Sequence, residues 1–264
     1  METPQIKIPC LKGWRAEVGI LTPTAGHERE WEEVAPQGVR FVRGLLGYTE
    51  LTLEGLKEMA NRIESEAIKI NMAYKRDLIC FACTSGSFIG GPGYDQQIIE
   101  RIERASGSPA TTTVTCVVEL FRDMGIRRVV IVGPYTDDIF EAEVDFLEAC
   151  EIEAIYPKGT GLGLTKPQEF WEYAMNPYGS YKLVKEGAKA APSTDCVFLT
   201  CTASPLLGLA DILENEIGKP VISSLSATLY GILKKLGIPD PIYHYGVALT
   251  RPRLPHQHLD LPQG

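Results

Sequence analysis

The sequence lacks the long apolar run and the basic block that several common classes of protein require. In 264 residues no run approaches the ~18 apolar residues of a membrane span. The N-terminal METPQIKIPCLKGW has no charged segment followed by an apolar core, as a secretory signal would. The formal net charge is −8 and Lys and Arg form no block, which argues against a nucleic-acid surface and against a basic membrane patch. These absences predict a cytoplasmic protein with neither nucleic acid nor membrane as a partner.

Patterns typical of metal, disulfide and dinucleotide sites are also missing. Among the seven cysteines only Cys80 and Cys83 stand at CxxC spacing, and no second such pair or nearby histidine completes it, so neither a disulfide framework nor a structural zinc site is indicated. His27 and the HQH at 256–258 have no partners at metal-ligating spacing, and no histidine stands next to a Cys or Ser as a hydrolase triad might suggest. The GTGLGL at 159–164 does not have the GxGxxG spacing. The sequence therefore indicates neither a metal site nor a dinucleotide site.

Strand-like apolar runs alternate with helix-like periodic segments, a pattern typical of α/β architecture with parallel sheets. Each half of the chain contains, in order, a strand, a second strand, a helix, a strand ending in Cys-Thr and a further helix, with one extra helix in the second half. The apolar spacing from Thr52 to Tyr74 predicts one amphipathic helix. We therefore predict two similar units, residues 1–112 plus 221–264 and residues 113–220.

Two short stretches of the chain read almost alike, LICFACTSGSF at 78–88 and CVFLTCTASPL at 196–206. Each places a cysteine, Cys83 or Cys201, just after a buried strand, where parallel sheets bind ligands. Two facing units would put both sulfurs on opposite sides of one cleft, among hydroxyls and N–H groups that suit a carboxylate. A helix N-terminus there would lower the thiol pKa toward neutrality.

A cysteine that ends a buried strand is more often a small core residue than a catalyst, and only the matched pair favours catalysis over packing. The other cysteines show no such pairing and are assigned to packing: Cys10, Cys80, Cys116, Cys150 and Cys196. The apolar lining that would determine specificity is left open among Tyr48, Phe88, Tyr94 and Leu206.

The motifs ACTSGS, VVIVGPYTDD and LTCTAS, in that order, resemble the aspartate/glutamate racemase superfamily, in particular its branch of maleate cis–trans isomerases and arylmalonate decarboxylases. The resemblance covers nearly the whole chain. It implies two pseudo-symmetric Rossmann-like parallel-sheet units, an active site in the cleft between them with one cysteine from each, and no cofactor.

Carried over residue by residue, the resemblance makes Cys83 and Cys201 the catalytic pair. Thr84, Ser85 and Tyr135 match the group that binds the substrate carboxylate, and Thr24 and Thr202 are further candidates for carboxylate contacts. The decarboxylases keep only the second cysteine, as a proton donor, and have glycine at the first position. In the maleate isomerases the first cysteine adds to the double bond.

The resemblance implies a cofactor-independent isomerase, either a racemase or a maleate-type cis–trans isomerase, acting on a small carboxylate or dicarboxylate. The first loop, TPTAGHE at 22–28, departs from the Pro-Ser-Ser-Asn-like loop of the maleate isomerases and has no Asn, which puts maleate itself in question. An arylmalonate-type decarboxylase using Cys201 and a non-catalytic carboxylate-binding protein remain the alternatives. A homo-oligomer is compatible with the sequence.

Overall fold

The computed structural model describes residues 13–24, 28–159 and 161–250. Eight short strands are present there: β1 (Ala16–Thr22), β2 (Val39–Leu45), β3 (Leu78–Phe81), β4 (Ala110–Thr112), β5 (Arg128–Val132), β6 (Glu153–Ile155), β7 (Cys196–Leu199) and β8 (Val221–Ser223). The helices of the first half are α1 (Glu28–Val34), α2 (Leu53–Ala60), α3 (Ile63–Asn71), α4 (Thr84–Phe88), α5 (Tyr94–Ser106) and α6 (Thr113–Met124). Those of the second half are α7 (Asp137–Ala149), α8 (Pro167–Glu169), α9 (Pro177–Ala190), α10 (Ala210–Ile217), α11 (Ser224–Lys235) and α12 (Val247–Thr250). A π-helical turn, Phe170–Ala174, follows α8, and a 3₁₀ turn, Leu207–Leu209, precedes α10.

The strands form two four-stranded sheets with the same internal order. The first sheet runs β2-β1-β3-β4 and the second β6-β5-β7-β8, and every pairing between neighbours is parallel. Strands β3 and β7 are buried along their whole length, as parallel strands covered by helices on both faces must be. The prediction of two α/β units with parallel sheets is confirmed.

The two halves match more closely than the sequence pattern predicts. Helix α1 follows β1 just as α7 follows β5, so the helix counted as extra in the second half has a counterpart in the first. The sequence pattern also assigned no element between residues 110 and 126, where the structure has β4 and α6. Strand β4 has only three residues, ATT, which is too short to show a period.

The segment from Thr52 to Tyr74 forms two helices rather than the one predicted. Helix α2 begins after Thr52, whose hydroxyl accepts the Gly55 N–H, and ends at Ala60. Helix α3 begins at Ile63 after a turn at Asn61 and Arg62. Both helices bury one apolar face, so the periodic spacing continues across the break and hides it in the sequence.

The predicted division assigns residues 221–264 to the first unit, but β8 (221–223) pairs with β7 and lies in the second sheet. Helix α11, which follows β8, packs against α6, which follows β4. A Cβ at Gly231 would lie 2.4 Å from the Cys116 sulfur, so the absence of a side chain there permits the close approach of these helices. How the helices divide between the two units remains a prediction.

Across the part of the chain that the structure describes, no helix is both long and apolar enough to cross a membrane.

Candidate active site

The predicted site residues lie at two equivalent places, the points where each sheet reverses its winding order. In the first sheet β2 and β3 lie on opposite sides of β1, and in the second β6 and β7 lie on opposite sides of β5. Loops that leave neighbouring strands in opposite directions open a crevice at the carboxyl edge of the sheet. Thr24 follows β1 and Cys83 follows β3, while Tyr135 follows β5 and Cys201 follows β7. The topology therefore gives each sheet one cysteine beside its crevice.

Cys83 is the N-cap residue of the short helix α4. Its backbone is extended, with φ −145°, and its sulfur accepts the Gly86 N–H at 3.3 Å. The Ser85 hydroxyl lies 3.8 Å from the same sulfur. A Cβ at Gly86 would lie 3.0 Å from the Cys83 sulfur, so glycine leaves the space that the thiol occupies. The small residues of ACTSGS thus place the Cys83 sulfur against the first turn of α4.

Cys201 occupies the equivalent position but has a different backbone. Its φ is +88°, in the left-handed region that non-glycine residues adopt at a cost of roughly 1–3 kcal/mol. Such a conformation persists only where the surroundings impose it, and it is found most often at functional sites. Here the Cys201 carbonyl accepts the Ser204 N–H at 3.2 Å, closing a tight turn. The second turn is therefore not a copy of the helical first turn.

Polar side chains connect the two cysteines. The Tyr135 side chain makes polar contacts with Ser85, from the first turn, and with the Cys201 thiol, from the second. Because Ser85 also lies beside Cys83, the hydroxyls of Ser85 and Tyr135 link one sulfur to the other. Cys83 and Cys201 interact electrostatically as well, and only 4% and 6% of their surfaces are exposed. The structure thus gathers Cys83, Ser85, Tyr135 and Cys201 in one buried cluster.

Two threonines predicted to bind a carboxylate donate hydrogen bonds from their hydroxyls to distant residues of the protein. The Thr84 hydroxyl donates to Ser224 Oγ at 2.8 Å, and the Thr202 hydroxyl donates to the Ala82 carbonyl at 3.3 Å. Both donor protons are therefore occupied within the protein, although each oxygen can still accept. The carboxylate-binding role of Thr84 and Thr202 remains a prediction. The Thr202 bond joins the two cysteine turns, and the Thr84 bond joins the first turn to the start of α11.

Thr24 is half-buried at the end of β1, where its carbonyl accepts the Thr22 hydroxyl at 2.7 Å. Residues 25–27, which include His27, and the HQH at 256–258 lie outside the described residues. A carboxylate contact by Thr24 therefore remains a prediction from the sequence.

Burial keeps both thiols neutral at neutral pH, contrary to the expectation that a helix N-terminus would lower their pKa. Burial raises the pKa of Cys83 to about 12, although the Gly86 N–H and the Ser85 hydroxyl oppose that rise. Burial raises the pKa of Cys201 to about 11, opposed by the Ala203 N–H and by Tyr135 and Ser204. Desolvation of a thiolate outweighs a few hydrogen bonds here. The site therefore holds two neutral thiols, each with hydrogen-bonding groups that favour its thiolate.

Sequence reasoning left Tyr48 among four candidates for the lining, and the structure places it at the site. Tyr48 is half-buried beyond β2, and its pKa is raised by burial and then by the charges of Cys201 and Cys83. Phe88, by contrast, is fully buried and packs against Phe146 with ring centroids 6.4 Å apart. Tyr48 therefore lies near both sulfurs, whereas Phe88 belongs to the core.

Sequence reasoning missed Glu143 altogether, because it lies in an acidic helix that reads as a solvated face. Its carboxyl is fully buried, and Oε1 accepts the Thr200 hydroxyl at 2.8 Å. Burial raises the Glu143 pKa to about 8. The signal available in the sequence was its position three residues after Phe140, on the apolar face of α7.

Within residues 13–24, 28–159 and 161–250, no group of three or more His, Cys, Asp or Glu side chains could hold a metal ion. The six cysteines in those ranges are all free thiols.

Paired buried thiols beside the crevices of two like parallel sheets define a class of enzyme that works by cysteine chemistry. Comparison with known proteins identifies the family within that class. The family model for arylmalonate decarboxylase matches residues 18–247. The chain belongs to this family, and the resemblance stated from its motifs is confirmed.

Characterised relatives include enzymes of two activities. A maleate isomerase of Geobacillus stearothermophilus is 21% identical over 249 residues, covering 88% of this chain and 96% of its own. The arylmalonate decarboxylase of Bordetella bronchiseptica is 27% identical over 201 residues, covering 75% and 80%. Both an isomerase and a decarboxylase therefore fit this family of enzymes.

A solved structure shows the same fold with a reaction intermediate in place. It is a cysteine-to-serine variant of the Nocardia farcinica maleate cis–trans isomerase with a covalently bound succinylcysteine. This chain superposes on it with a TM-score of 0.79 at 23% identity, covering 89% of this chain and 98% of the other.

Proposed function

We propose that this protein is a cofactor-independent isomerase that acts on a small carboxylate through Cys83 and Cys201, with cis–trans isomerisation of a maleate-like dicarboxylate as its reaction. The observation that carries the proposal is the buried cluster of two thiols joined through Ser85 and Tyr135. A decarboxylase of the kind described above needs only one of these thiols. The relatives named maleate isomerase and the succinylcysteine intermediate of the Nocardia enzyme support the same reaction.

In this reaction Cys83, as its thiolate, is the nucleophile. Its sulfur forms a C–S bond to one carbon of the double bond, and the π-electron pair takes a proton from the Cys201 thiol at the other carbon. The product of this step is a succinyl thioether with a C–C single bond about which it can rotate. Cys201 then removes the proton again, the C–S bond breaks, and the electron pair returns to Cys83. Atoms and charge balance, and only the geometry of the double bond has changed.

The surroundings of the two sulfurs favour these roles. Cys201 becomes a thiolate when it donates its proton, and Ala203, Ser204 and Tyr135 all interact with that sulfur in the sense that stabilises the thiolate. An acid is more effective where its conjugate base is stabilised. Cys83 must lose its proton before it attacks, helped by the Gly86 N–H and the Ser85 hydroxyl. The raised pKa of Cys83 predicts that activity rises with pH over the neutral to alkaline range.

Among the described residues, the groups that contact the sulfurs are hydroxyls and backbone N–H groups, so we expect dipoles to hold the charges of the substrate. Hydroxyl and N–H dipoles oriented toward a carboxylate stabilise it strongly in a site that excludes water. The carboxylate-binding roles of Thr24, Thr84, Ser85, Tyr135 and Thr202, the cytoplasmic location and a homo-oligomeric state remain predictions from the sequence.

The test is a substrate panel run on wild type and on the variants Cys83→Ser and Cys201→Ser. Maleate conversion to fumarate is followed by proton NMR, racemisation of amino acids by chiral chromatography, and decarboxylation of aryl- and alkylmalonates by CO₂ release. We expect isomerisation that both variants abolish, and a mass increase of one succinyl group on Cys83 in Cys201→Ser.

Two other results would redirect the proposal. CO₂ release that survives Cys83→Ser and is lost in Cys201→Ser would assign the decarboxylase activity instead. Binding of dicarboxylates with no turnover of any substrate on the panel would support the non-catalytic carboxylate-binding alternative.

A further inference from the structure

One face of α7 contacts both partners of the second cysteine turn. The Phe140 ring packs against the Tyr135 ring with centroids 5.7 Å apart, and Glu143, three residues later, accepts the Thr200 hydroxyl at 2.8 Å. Residues three apart on a helix lie side by side, so both contacts come from one surface. Tyr135 touches the Cys201 thiol and Thr200 precedes it in the chain. A single helix face therefore lies behind the Tyr135–Cys201 pair.

Thr200 is held on several sides. Its N–H donates to the Val132 carbonyl at 2.9 Å, which continues the pairing of β7 with β5 by one residue. A Cβ at Gly133 would lie 2.6 Å from the Thr200 methyl, so glycine is what lets the methyl pack there. The hydroxyl is then directed to Glu143. Backbone, methyl and hydroxyl each have a fixed contact, and the next residue is Cys201 in its left-handed conformation.

We propose that Glu143 is a positioning residue for Cys201: by accepting the Thr200 hydroxyl it fixes the strand end from which the strained Cys201 turn departs. On the other side of the cysteine, Thr202 is fixed by its bond to the Ala82 carbonyl. The residues on both sides of Cys201 are therefore held by hydrogen bonds. Glu143 holds Thr200 from within the same unit, and Ala82 holds Thr202 from the other cysteine turn.

The free-energy cost of burying the Glu143 carboxyl supports a specific role for this residue. Glu143 is fully buried, and its second oxygen, Oε2, has no hydrogen-bond partner among the described residues. Burial raises its pKa to about 8, so the group is mostly neutral at neutral pH. The titratable groups that face it are Tyr135, on which its charge acts directly, and beyond Tyr135 the thiols Cys83 and Cys201. A leucine would fill the same space without the desolvation cost, but it could not hold Thr200.

The experiment removes this hydrogen bond from either side. Glu143→Leu removes the acceptor and Thr200→Val the donor, whereas Glu143→Gln keeps an acceptor of the same shape. Glu141→Gln, an exposed position on the same helix, is the matched control. The readout is the iodoacetamide alkylation rate of Cys201 across pH 8–10, localised by peptide mass spectrometry, with Cys83 in the same molecule as the internal reference.

Hydrogen bonds to the Cys201 sulfur stabilise its thiolate, and they require the backbone turn at Cys201 to keep its shape. We expect Glu143→Leu and Thr200→Val to slow alkylation of Cys201 about tenfold, a rise of about one pKa unit, with Cys83 unchanged. Glu143→Gln and Glu141→Gln should match wild type at the lower end of this range. If Glu143→Leu does not fold, Thr200→Val decides, because it leaves the carboxyl in place.

Unchanged Cys201 rates in the folded variants would overturn the proposal, as would an equal change at both cysteines. Faster labelling of Cys201 with a lower melting temperature would also overturn it, since the carboxyl would then only support folding. The proposal rests on the catalytic role given to Cys201 above, but alkylation needs no substrate. The positioning role can therefore fail or hold whatever the substrate panel shows. Where turnover is measurable, we expect a lower kcat in both variants at unchanged KM.

Discussion

The hydroxyl of Thr202 donates a 3.3 Å hydrogen bond to the backbone carbonyl of Ala82. Each of these residues is the immediate neighbour of a cysteine, Cys201 in one case and Cys83 in the other. The bond therefore joins the two cysteine turns directly, one from each sheet. At 3.3 Å this bond is long for a hydroxyl donor and therefore weak. We expect it to fix the position of one cysteine turn relative to the other more than to stabilise the fold.

Thr202→Val is expected to lower kcat about tenfold while costing about 1 kcal/mol or less in the free energy of unfolding. The change removes the donor and keeps the shape, so the loss arises from misplacement of one sulfur relative to the other. Thr194→Val is the matched control, because Thr194 also donates to a backbone carbonyl, that of Ala191, at 2.9 Å. Urea unfolding and steady-state kinetics are the measurements. Equal kinetic effects of the two variants would contradict the prediction.

Tyr135→Phe is expected to lower kcat by about two orders of magnitude and to raise the pKa of Cys201 beyond its present value of about 11. The hydroxyl is one of the groups that favour the Cys201 thiolate, and phenylalanine keeps only the ring contact with Phe140. Tyr156→Phe serves as the control, since the Tyr156 ring also stacks on Phe140, at 5.2 Å, with its hydroxyl on Glu141. The measurement is the pH dependence of Cys201 alkylation together with kcat. A Tyr135 variant that behaves like the Tyr156 variant would show that only the ring matters.

Cys201→Gly is expected to be more stable than Cys201→Ala by about 1 kcal/mol, although both are inactive. At φ +88° the alanine Cβ is strained and glycine is not. The same pair of substitutions at Cys83 provides the control, because its φ of −145° is ordinary extended backbone. There glycine should be the less stable variant, through its greater freedom in the unfolded chain. Thermal and urea unfolding of the four variants measure the difference, and the same order at both positions would refute the strain at Cys201.

Glu143→Gln is expected to become progressively more stable than wild type as the pH rises from about 4.5 to about 8. Well below pH 4.5 the carboxyl is neutral in both the folded and the unfolded state, so it makes no pH-dependent contribution to stability there. Between these values the unfolded chain ionises while the buried group, with its pKa raised to about 8, does not. Wild type therefore loses stability, by up to about 1.4 kcal/mol per pH unit.

The free energy of unfolding of both proteins, measured by urea titration at half-unit pH steps, gives this difference curve. Glu141→Gln is the control with the opposite sign. Contacts with Lys158 and Tyr156 lower the pKa of the exposed Glu141, so its loss should not stabilise the protein. A flat difference curve for Glu143→Gln would mean that the carboxyl is not desolvated in solution.

Local spacing along the chain was enough to predict the class of the fold and to single out Cys83 and Cys201 as candidate reactive residues. Alternating apolar strands and periodic helices predict parallel α/β units, and the repeated strand-Cys-Thr turn predicts Cys83 and Cys201 as a pair. These features are readable because they depend on local spacing along the chain. Strand β4 was not predicted, because three residues of strand carry no periodic signal and the assignment of β4 comes from its pairing with β3.

The contacts and the burial of the groups around the two cysteines depend on the folded chain. The link from Ser85 to Tyr135 and the bond from Thr202 to Ala82 join residues far apart in the chain, and the left-handed backbone at Cys201 follows no sequence pattern. The same holds for the pKa values: the helix N-terminus at Cys83 predicted a lowered pKa, but burial, which no sequence pattern measures, raised it. In the sequence Glu143 is one of several acidic residues on a charged helix, and only the packing of the folded chain shows that it is buried. Desolvation and long-range contact belong to the folded chain alone, and they determine which residues lie beside the two cysteines.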